Sequence, residues 1–262
     1  MEWSDDAVVL SVRAHGESSA ILEALTRTHG RHLGLVRGGS SRRLRPVLQP
    51  GNVVQLHWRA RLSEHLGSFT AELDHARAGS LMDGRESLIG LNALTAVAGA
   101  ALPEREAHEA VFEVAQILLD AMTEDGLPHW GPLYVRWEVG VLEALGFGLD
   151  LSACAATGTL DDLRYVSPRS GRAVSGEAGA PYATRLFTLP AFLLGSQNGE
   201  VARGELAAGL ALTGHFLLER VLRPQGKDMP GPRLRLDALA AHEEGESGEW
   251  FLPPISGGVP PS

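Results

Sequence analysis

The stretch RHLGLVRGGSSRRLRPVLQPGN, residues 31–52, carries five arginines and no acidic side chain. A guanidinium offers its N–H donors as a planar fork that closes on two oxygens of a phosphate or carboxylate together. Arg42, Arg43 and Arg45 lie in or just after a Gly-Gly-Ser-Ser turn, where a flexible backbone would let them follow an irregular chain of phosphates. Arg31 and Arg37 precede that turn, and Arg59 and Arg61 follow it. If 59–61 is a strand, Arg59 and Arg61 share one face and Trp58 points to the other, as a core residue. With few exposed aromatics to stack on bases, such a surface would grip a nucleic-acid backbone without reading its sequence.

Other chemistry is sparse. The chain has no P-loop, no G-x-G-x-x-G after a strand, no H-E-x-x-H and no G-x-S-x-G. His108-Glu109 lacks the second histidine of a zinc site. Asp150, Asp161 and Asp162 could collect a divalent metal for hydrolysis, but no third ligand stands at a helical or strand offset from them. These observations favour a binding protein over an enzyme.

Charge sharpens the contrast. The formal net charge is -9, yet residues 1–63 hold nine arginines against five acids, and residues 24–63 hold eight arginines and no acid. A positive patch on an otherwise acidic surface addresses polyanions while the remainder repels casual contact. Apolar residues make up 44% of the chain, enough for a substantial core. MEWSDDAVVL begins with acids, unlike a signal peptide. Residues 87–103 are short and rich in small residues, so they read as a buried helix rather than a membrane span. With Cys154 the only cysteine, no intrachain disulfide can form. A cytoplasmic protein is expected.

The elements that position the arginines change type near residue 80. AVVLSVRA, SAILEALT, HLGLVRG, NVVQLHWRARL and GSFTAEL read as five short strands with turns at Gly30 and at LQPGN, the pattern of a small barrel. Helical periodicity then takes over. Asp83 and Glu86 suggest a capping box. Leu88, Leu91, Thr95, Ala98 and Leu102 form one stripe, and Val111, Val114, Ala115, Leu118 and Met122 another. Tyr134, Trp137, Val141 and Leu145 mark a third helix ending at Gly146. LPAFLLGS and GELAAGLALTGHFLLERVL suggest two more. The expected class is α+β: a five-stranded OB-fold barrel over 1–78, then a helical domain over 79–240 with a ribbon-like insert at about 147–185. Residues 241–262, acidic and then rich in Pro and Gly, read as a disordered tail.

Within the insert, Cys154-x-x-Thr157 is followed by Ser175-x-x-Ala178. Cysteine at all four positions would give the spacing of a zinc ribbon. One thiolate cannot hold a structural zinc, so no metal is expected.

Taken together, RGGSSRRLRPVLQPGNVVQLHWRARL, LYVRWEVGVLEALGFGLDL, YVSPRSGRAVSGEAGAPY and LPAFLL resemble the RecO family of bacterial recombination mediators, over nearly the whole chain to about residue 240. The resemblance implies an oligonucleotide-binding barrel, a helical domain and a ribbon insert that carries zinc in many members; this chain looks like a degenerate-ribbon variant. It also implies binding of single- and double-stranded DNA, strand annealing in DNA repair, and, with RecR, assistance to RecA in replacing single-stranded DNA-binding protein. The backbone contacts would come from Arg37, Arg42, Arg43 and Arg45, with Arg31, Arg59 and Arg61 in support. The family docks the acidic C-terminal tail of single-stranded DNA-binding protein on its helical domain, for which Arg136 beside Tyr134 and Trp137 is the candidate. A nucleoid-associated cytoplasmic location follows. Two alternatives stand beside this: an adaptor whose arginines meet acidic peptides, and a metal-dependent nuclease built on Asp150, Asp161 and Asp162.

Overall fold

The first fourteen-residue strand is longer than a small barrel needs because it serves two purposes. In the computed structural model, which describes residues 1–195 and 201–241, β1 (Glu2–His15) pairs with β4 (Val53–Arg59) through its first half and with β2 (Ser19–Thr26) through its second. A register shift between Val9 and Ser11 bends it at the crossing. β3 (Gly30–Val36) pairs with β2, and β5 (Ser68–His75) lies between β3 and β4, so the order β1-β2-β3-β5-β4 closes a barrel. Only the short β3–β5 contact is parallel.

Alternation sorts the side chains. Ala7, Val9, Leu22, Ala24, Val54, Leu56, Trp58 and Phe69 fill the barrel. Val8, Leu10, Leu25 and Val53 face outward into the main core beneath the helices. A strand buried on both faces reads as a continuous apolar run, which accounts for Ala7-Val8-Val9-Leu10. The expected turns are present: Gly30 has φ +70 with the Glu106 backbone packed against it, and Gly51, after Pro50, has φ +88.

One open end of the barrel is closed by an aromatic and ionic cluster. Trp3 stacks on His29 at 4.1 Å, and His32 meets Trp3, Trp58 and Phe69 edge-on. Asp5 accepts hydrogen bonds from the Thr28 N–H and hydroxyl and from His29 Nδ1–H. Burial opposes ionisation of Asp5, but these donors overcome it and hold its carboxyl below the ordinary range. Burial likewise lowers His32, despite its contact with the Leu33 carbonyl. Both shifts have the same consequence, since the unfolded chain takes up protons that the folded chain refuses. Stability is expected to fall as pH drops through the ordinary histidine range, and again through the carboxylate range. Melting temperatures from pH 8 to pH 2.5 check this. His32→Phe should flatten the first decline, and an unchanged profile would exclude His32 as its source.

The helical region begins with α1 (Ala78–Asp83) and α2 (Arg85–Ala101), followed by α3 (Glu109–Glu124) and α4 (Leu127–Ala144). The buried face of α2 is offset from the expected stripe: Leu91, Ala98 and Leu102 are inside but Leu88 and Thr95 only half-buried, while Ser87, Gly90, Leu94 and Val97 are inside, because the helix is packed by β1, α3, α4 and a C-terminal helix. The expected capping box does not form. Asp83 ends α1, Gly84 caps α2, and Glu86 instead accepts the Leu127 N–H and pairs with Arg203. A lone acid three residues on cannot make a box once the chain has turned between two helices.

The insert holds a three-stranded sheet in the order β7 (Ala173–Ser175), β6 (Leu163–Val166), β8 (Phe187–Thr188), with the single turn α5 (Gly176–Gly179). Of LPAFLLGS, the described residues Leu189–Gly195 form no α-helix; only Ala191–Leu193 makes a 3-10 turn, between Pro190 and Gly195. α6 (Arg203–Phe216) runs into a π-helical turn over Leu217–Leu222. α7 (Gly231–Ala241), absent from the sequence expectation, packs on α2 and α6. Its Arg233 is wholly buried and donates to both oxygens of the equally buried Glu138 in α4, which also accepts the Thr213 hydroxyl. Ala241, the first residue of the expected disordered tail, closes α7, and the remainder of that expectation lies outside the described residues.

Candidate nucleic-acid interface

The eight arginines of residues 24–63 divide into two sets with different work. Arg27 pairs with Asp6 and with Glu113 of α3, and lies over the Phe112 ring. Arg31 donates to Glu23, to the Leu102 carbonyl and toward Glu104. Only 13% of its side chain is exposed, so it fastens the barrel to the segment after α2 rather than facing solvent. Arg37, Arg42, Arg43, Arg45, Arg59 and Arg61 are all exposed and have no carboxylate partner among the described residues.

Three of these six, Arg37, Arg43 and Arg59, surround one groove with a volume of about 560 Å³. Val36, Leu44, Phe69 and Ala71 line it, and Glu72 is its one carboxylate. Arg45 lines a neighbouring depression with Val12, Ala20, Leu48 and Pro50. Arg42, next to Arg43 in sequence, is exposed. Arg61 is not on the strand as expected, because β4 ends at Arg59; it sits in the β4–β5 loop.

The loop carrying Arg42, Arg43 and Arg45 is more ordered than its Gly-Gly-Ser-Ser sequence suggests. Arg45 N–H bonds the Ser41 carbonyl and Leu48 N–H the Leu44 carbonyl, two successive helix-like turns. Ser40 ties the loop to the β1–β2 turn through the Ser18 and Ser19 carbonyls. Leu48 plugs the barrel and is 2% exposed. Buried Asn52 closes the loop: its amide donates to the Pro46 and Val47 carbonyls, and its oxygen accepts the N–H groups of Arg77 and Ala78 at the start of α1. Arg77 is held in turn by a bidentate contact to Asp120 and by Gln116 of α3. The arginines are therefore presented by a fixed frame, which lowers the entropy lost when they engage a partner.

The β4–β5 loop is held from the other side. Arg105, in the connector between α2 and α3, donates to the carbonyls of Ser63, Glu64 and His65. Its φ of 64 is the left-handed conformation that non-glycine residues seldom adopt. Its own N–H bonds the Arg31 carbonyl at 2.8 Å. The pattern EREAHE gave no sign of this role, and Asn52 was legible only as a turn residue.

Of the helical candidates, Arg136 and Trp137 come together and Tyr134 does not. Arg136 and Trp137 line a groove of about 460 Å³ between α3 and α4 with His108, Glu109, Val111, Val114, Gly140 and Glu143. Arg136 donates to the Phe192 and Gly195 carbonyls, and Trp137 Nε1–H to the Val111 carbonyl. Tyr134 turns inward, beside Arg233 and Glu138, where burial raises its hydroxyl well above the ordinary value.

The insert brings Cys154, Thr157 and Ser175 together, with the Ser175 N–H 3.2 Å from Cys154 Sγ. The Ser175 and Thr157 side chains, together with that N–H, pull the thiol down to about 6. Ala178, in the fourth position, packs against the core. One thiol, two hydroxyls and a methyl do not fit zinc. Among the described residues no group of three or more His, Cys, Asp or Glu is placed to hold a metal. Asp150 is taken by Ser152 and Arg172, and Asp162 by Arg164. No described helix is long and apolar enough to cross a membrane.

Comparison with known proteins gives two family matches. Residues 1–76 match the N-terminal model of recombination protein O, and residues 83–229 match its C-terminal model. The chain is 51% identical over 243 residues to the DNA repair protein RecO of Cereibacter sphaeroides, covering 92% of this chain and 99% of that one. It is 50% identical over 238 residues to that of Rhodospirillum rubrum, covering 90% and 94%. With the protein of the same name from Caulobacter vibrioides the identity is 51% over 242 residues, covering 92% and 98%.

Proposed function

The chain belongs to the RecO family of DNA repair proteins and recombination mediators, and from that premise we propose that it binds single- and double-stranded DNA through the arginine face of its barrel and anneals complementary strands. With RecR, it would help RecA load onto single strands covered by single-stranded DNA-binding protein. One observation carries the reading. Six exposed arginines have no carboxylate partner among the described residues of an acidic chain, and three of them, Arg37, Arg43 and Arg59, line one groove. Phosphates on two strands repel each other; arginines that contact both lower that repulsion while the bases search for register. No covalent step is needed, in keeping with a family of mediators rather than enzymes. The contacts would come from Arg37, Arg42, Arg43, Arg45, Arg59 and Arg61, with Arg31 supporting them from the junction.

The groove between α3 and α4 supports a second contact in the same function. Its apolar lining, with Arg136 at one side and Glu109 and Glu143 also on its wall, is the candidate seat for the acidic C-terminal tail of single-stranded DNA-binding protein, with Trp137 buried behind it. Tyr134 would back that wall rather than touch the peptide. The protein would act at the nucleoid, in the cytoplasm.

The direct test is annealing of two complementary labelled oligonucleotides, each covered with single-stranded DNA-binding protein. The chain should accelerate duplex formation at least tenfold at low salt, and the acceleration should fade as salt rises. No acceleration by a folded protein would defeat the proposal.

A further inference from the structure

The arginine groove has a second polyanion available to it within the same chain. Residues 242–249, HEEGESGE, hold Glu243, Glu244, Glu246 and Glu249 with no Lys or Arg, and Trp250, Phe251 and Leu252 follow at once. Both family models end by residue 229, so this acidic-then-aromatic segment lies outside the matched residues. It starts where α7 ends at Ala241, a helix end held to the body by Arg203 donating to the Leu239 carbonyl.

We propose that residues 242–262 dock in the arginine groove of the barrel and compete there with nucleic acid; the competition, though not the docking, rests on the DNA reading above. The chemistry matches in order. Glu243, Glu244, Glu246 and Glu249 meet Arg37, Arg43, Arg59 and the flanking arginines, which have no carboxylate partner among the described residues. Trp250 and Phe251 then find the apolar lining of Val36, Leu44 and Phe69.

Reach is not limiting. Twenty-one residues can reach at most about 70 Å. A folded chain of this length has a radius of gyration of about 18 Å. A tethered segment of this kind faces its site at an effective concentration on the order of millimolar. Even a contact of millimolar strength between separate molecules is then about half-occupied within one chain.

The α3–α4 groove is another apolar seat, but Glu109 and Glu143 line it, whereas the arginine groove holds only Glu72; a third groove, lined by Leu145, Phe147 and Val221, offers the single arginine Arg220 where the barrel groove offers three. An acidic segment is favoured at the barrel.

Two measurements test this. In the first, a fluorescein-labelled peptide of residues 242–262 is titrated into full-length protein carrying Glu243, Glu244, Glu246 and Glu249→Gln, with anisotropy as the readout. Binding should weaken with salt, and at least tenfold when Arg37, Arg43 and Arg59→Ala are added. Absence of binding, or loss of binding with Arg136→Ala rather than with the barrel variant, overturns the proposal.

In the second, a single-stranded oligonucleotide should bind the Gln variant about three- to tenfold more tightly than wild type. A charge-matched control, Glu124→Gln, Asp125→Asn, Glu177→Gln and Asp228→Asn, should gain much less, and an equal gain overturns the competition. If the peptide binds through the arginines and DNA does not bind at all, the docking stands and the DNA reading fails. If DNA binds both proteins equally and the peptide does not bind, the DNA reading stands and the docking fails.

Discussion

Replacing Arg37, Arg43 and Arg59 together with alanine is expected to weaken binding of a single-stranded oligonucleotide about 100-fold at 0.1 M salt and about tenfold at 0.3 M. The figures follow from counterion release. Each phosphate neutralised on a single strand contributes a slope of about -0.7 to log K against log salt, so three lost contacts flatten the slope by about 2. At 0.1 M the same term is worth about two decades in affinity, and the difference shrinks as salt rises.

The three positions are suited to the test because they share one groove, are exposed, and make no ion pair among the described residues that their loss could break. Arg27 and Arg31 are unsuitable. Their guanidinium groups hold Glu113 and Glu23, so their removal would disturb the junction between barrel and helices. An anisotropy titration across a salt series, with circular dichroism confirming the fold, gives both affinity and slope. A variant with the wild-type slope would mean that phosphates are bound elsewhere.

The largest expected loss of stability lies far from that face. Glu138→Ala leaves the Arg233 guanidinium inside the protein with Asp237 and the Leu210 carbonyl as its remaining hydrogen-bond acceptors among the described residues, beside the Tyr134 ring. Arg233 and Glu138 are both 0% exposed. Breaking a buried pair from one side costs about 3–5 kcal/mol, because the remaining charge keeps its desolvation penalty and loses its partner. At about 2–4 °C per kcal/mol for a chain of this size, the melting temperature should fall by about 10 °C or more. Replacing both residues with methionine removes the orphan charge and should recover most of the loss. Thermal melts of the wild type, the single variant and the double variant decide it. A double variant no better than the single would show that the pair's hydrogen bonds to α6, rather than its charges, hold α7 in place.

Legibility in the sequence followed the range of the forces involved. The five strands were visible because alternation and turn chemistry are local; β4 reads Val54, Leu56, Trp58 inward and Gln55, His57, Arg59 outward. The cluster of arginines was visible for the same reason. Its division was not, since the acids that claim Arg27 and Arg31 include Glu113 and Glu104, far along the chain. α7 was hidden because Arg233 and Asp237 interrupt its apolar positions, and a charged residue at the core looks like a surface residue until its partner is known. The strands of the insert are two to four residues long, too short for any period to register. The α3–α4 groove was half legible: Arg136 and Trp137 line it, but Trp137 is itself buried and Tyr134, one turn away on the same face, lies wholly inside beside Arg233 and Glu138.

The contact made by Arg105 has a mechanical consequence. The β4–β5 loop hangs from three carbonyls on one side chain, and that side chain grows from a connector whose next residues, His108 and Glu109, form the wall of the α3–α4 groove. The loop that carries Arg61 is thus tied, through one guanidinium and three peptide units, to the residue that precedes α3, so a displacement of either end is felt by the same short connector.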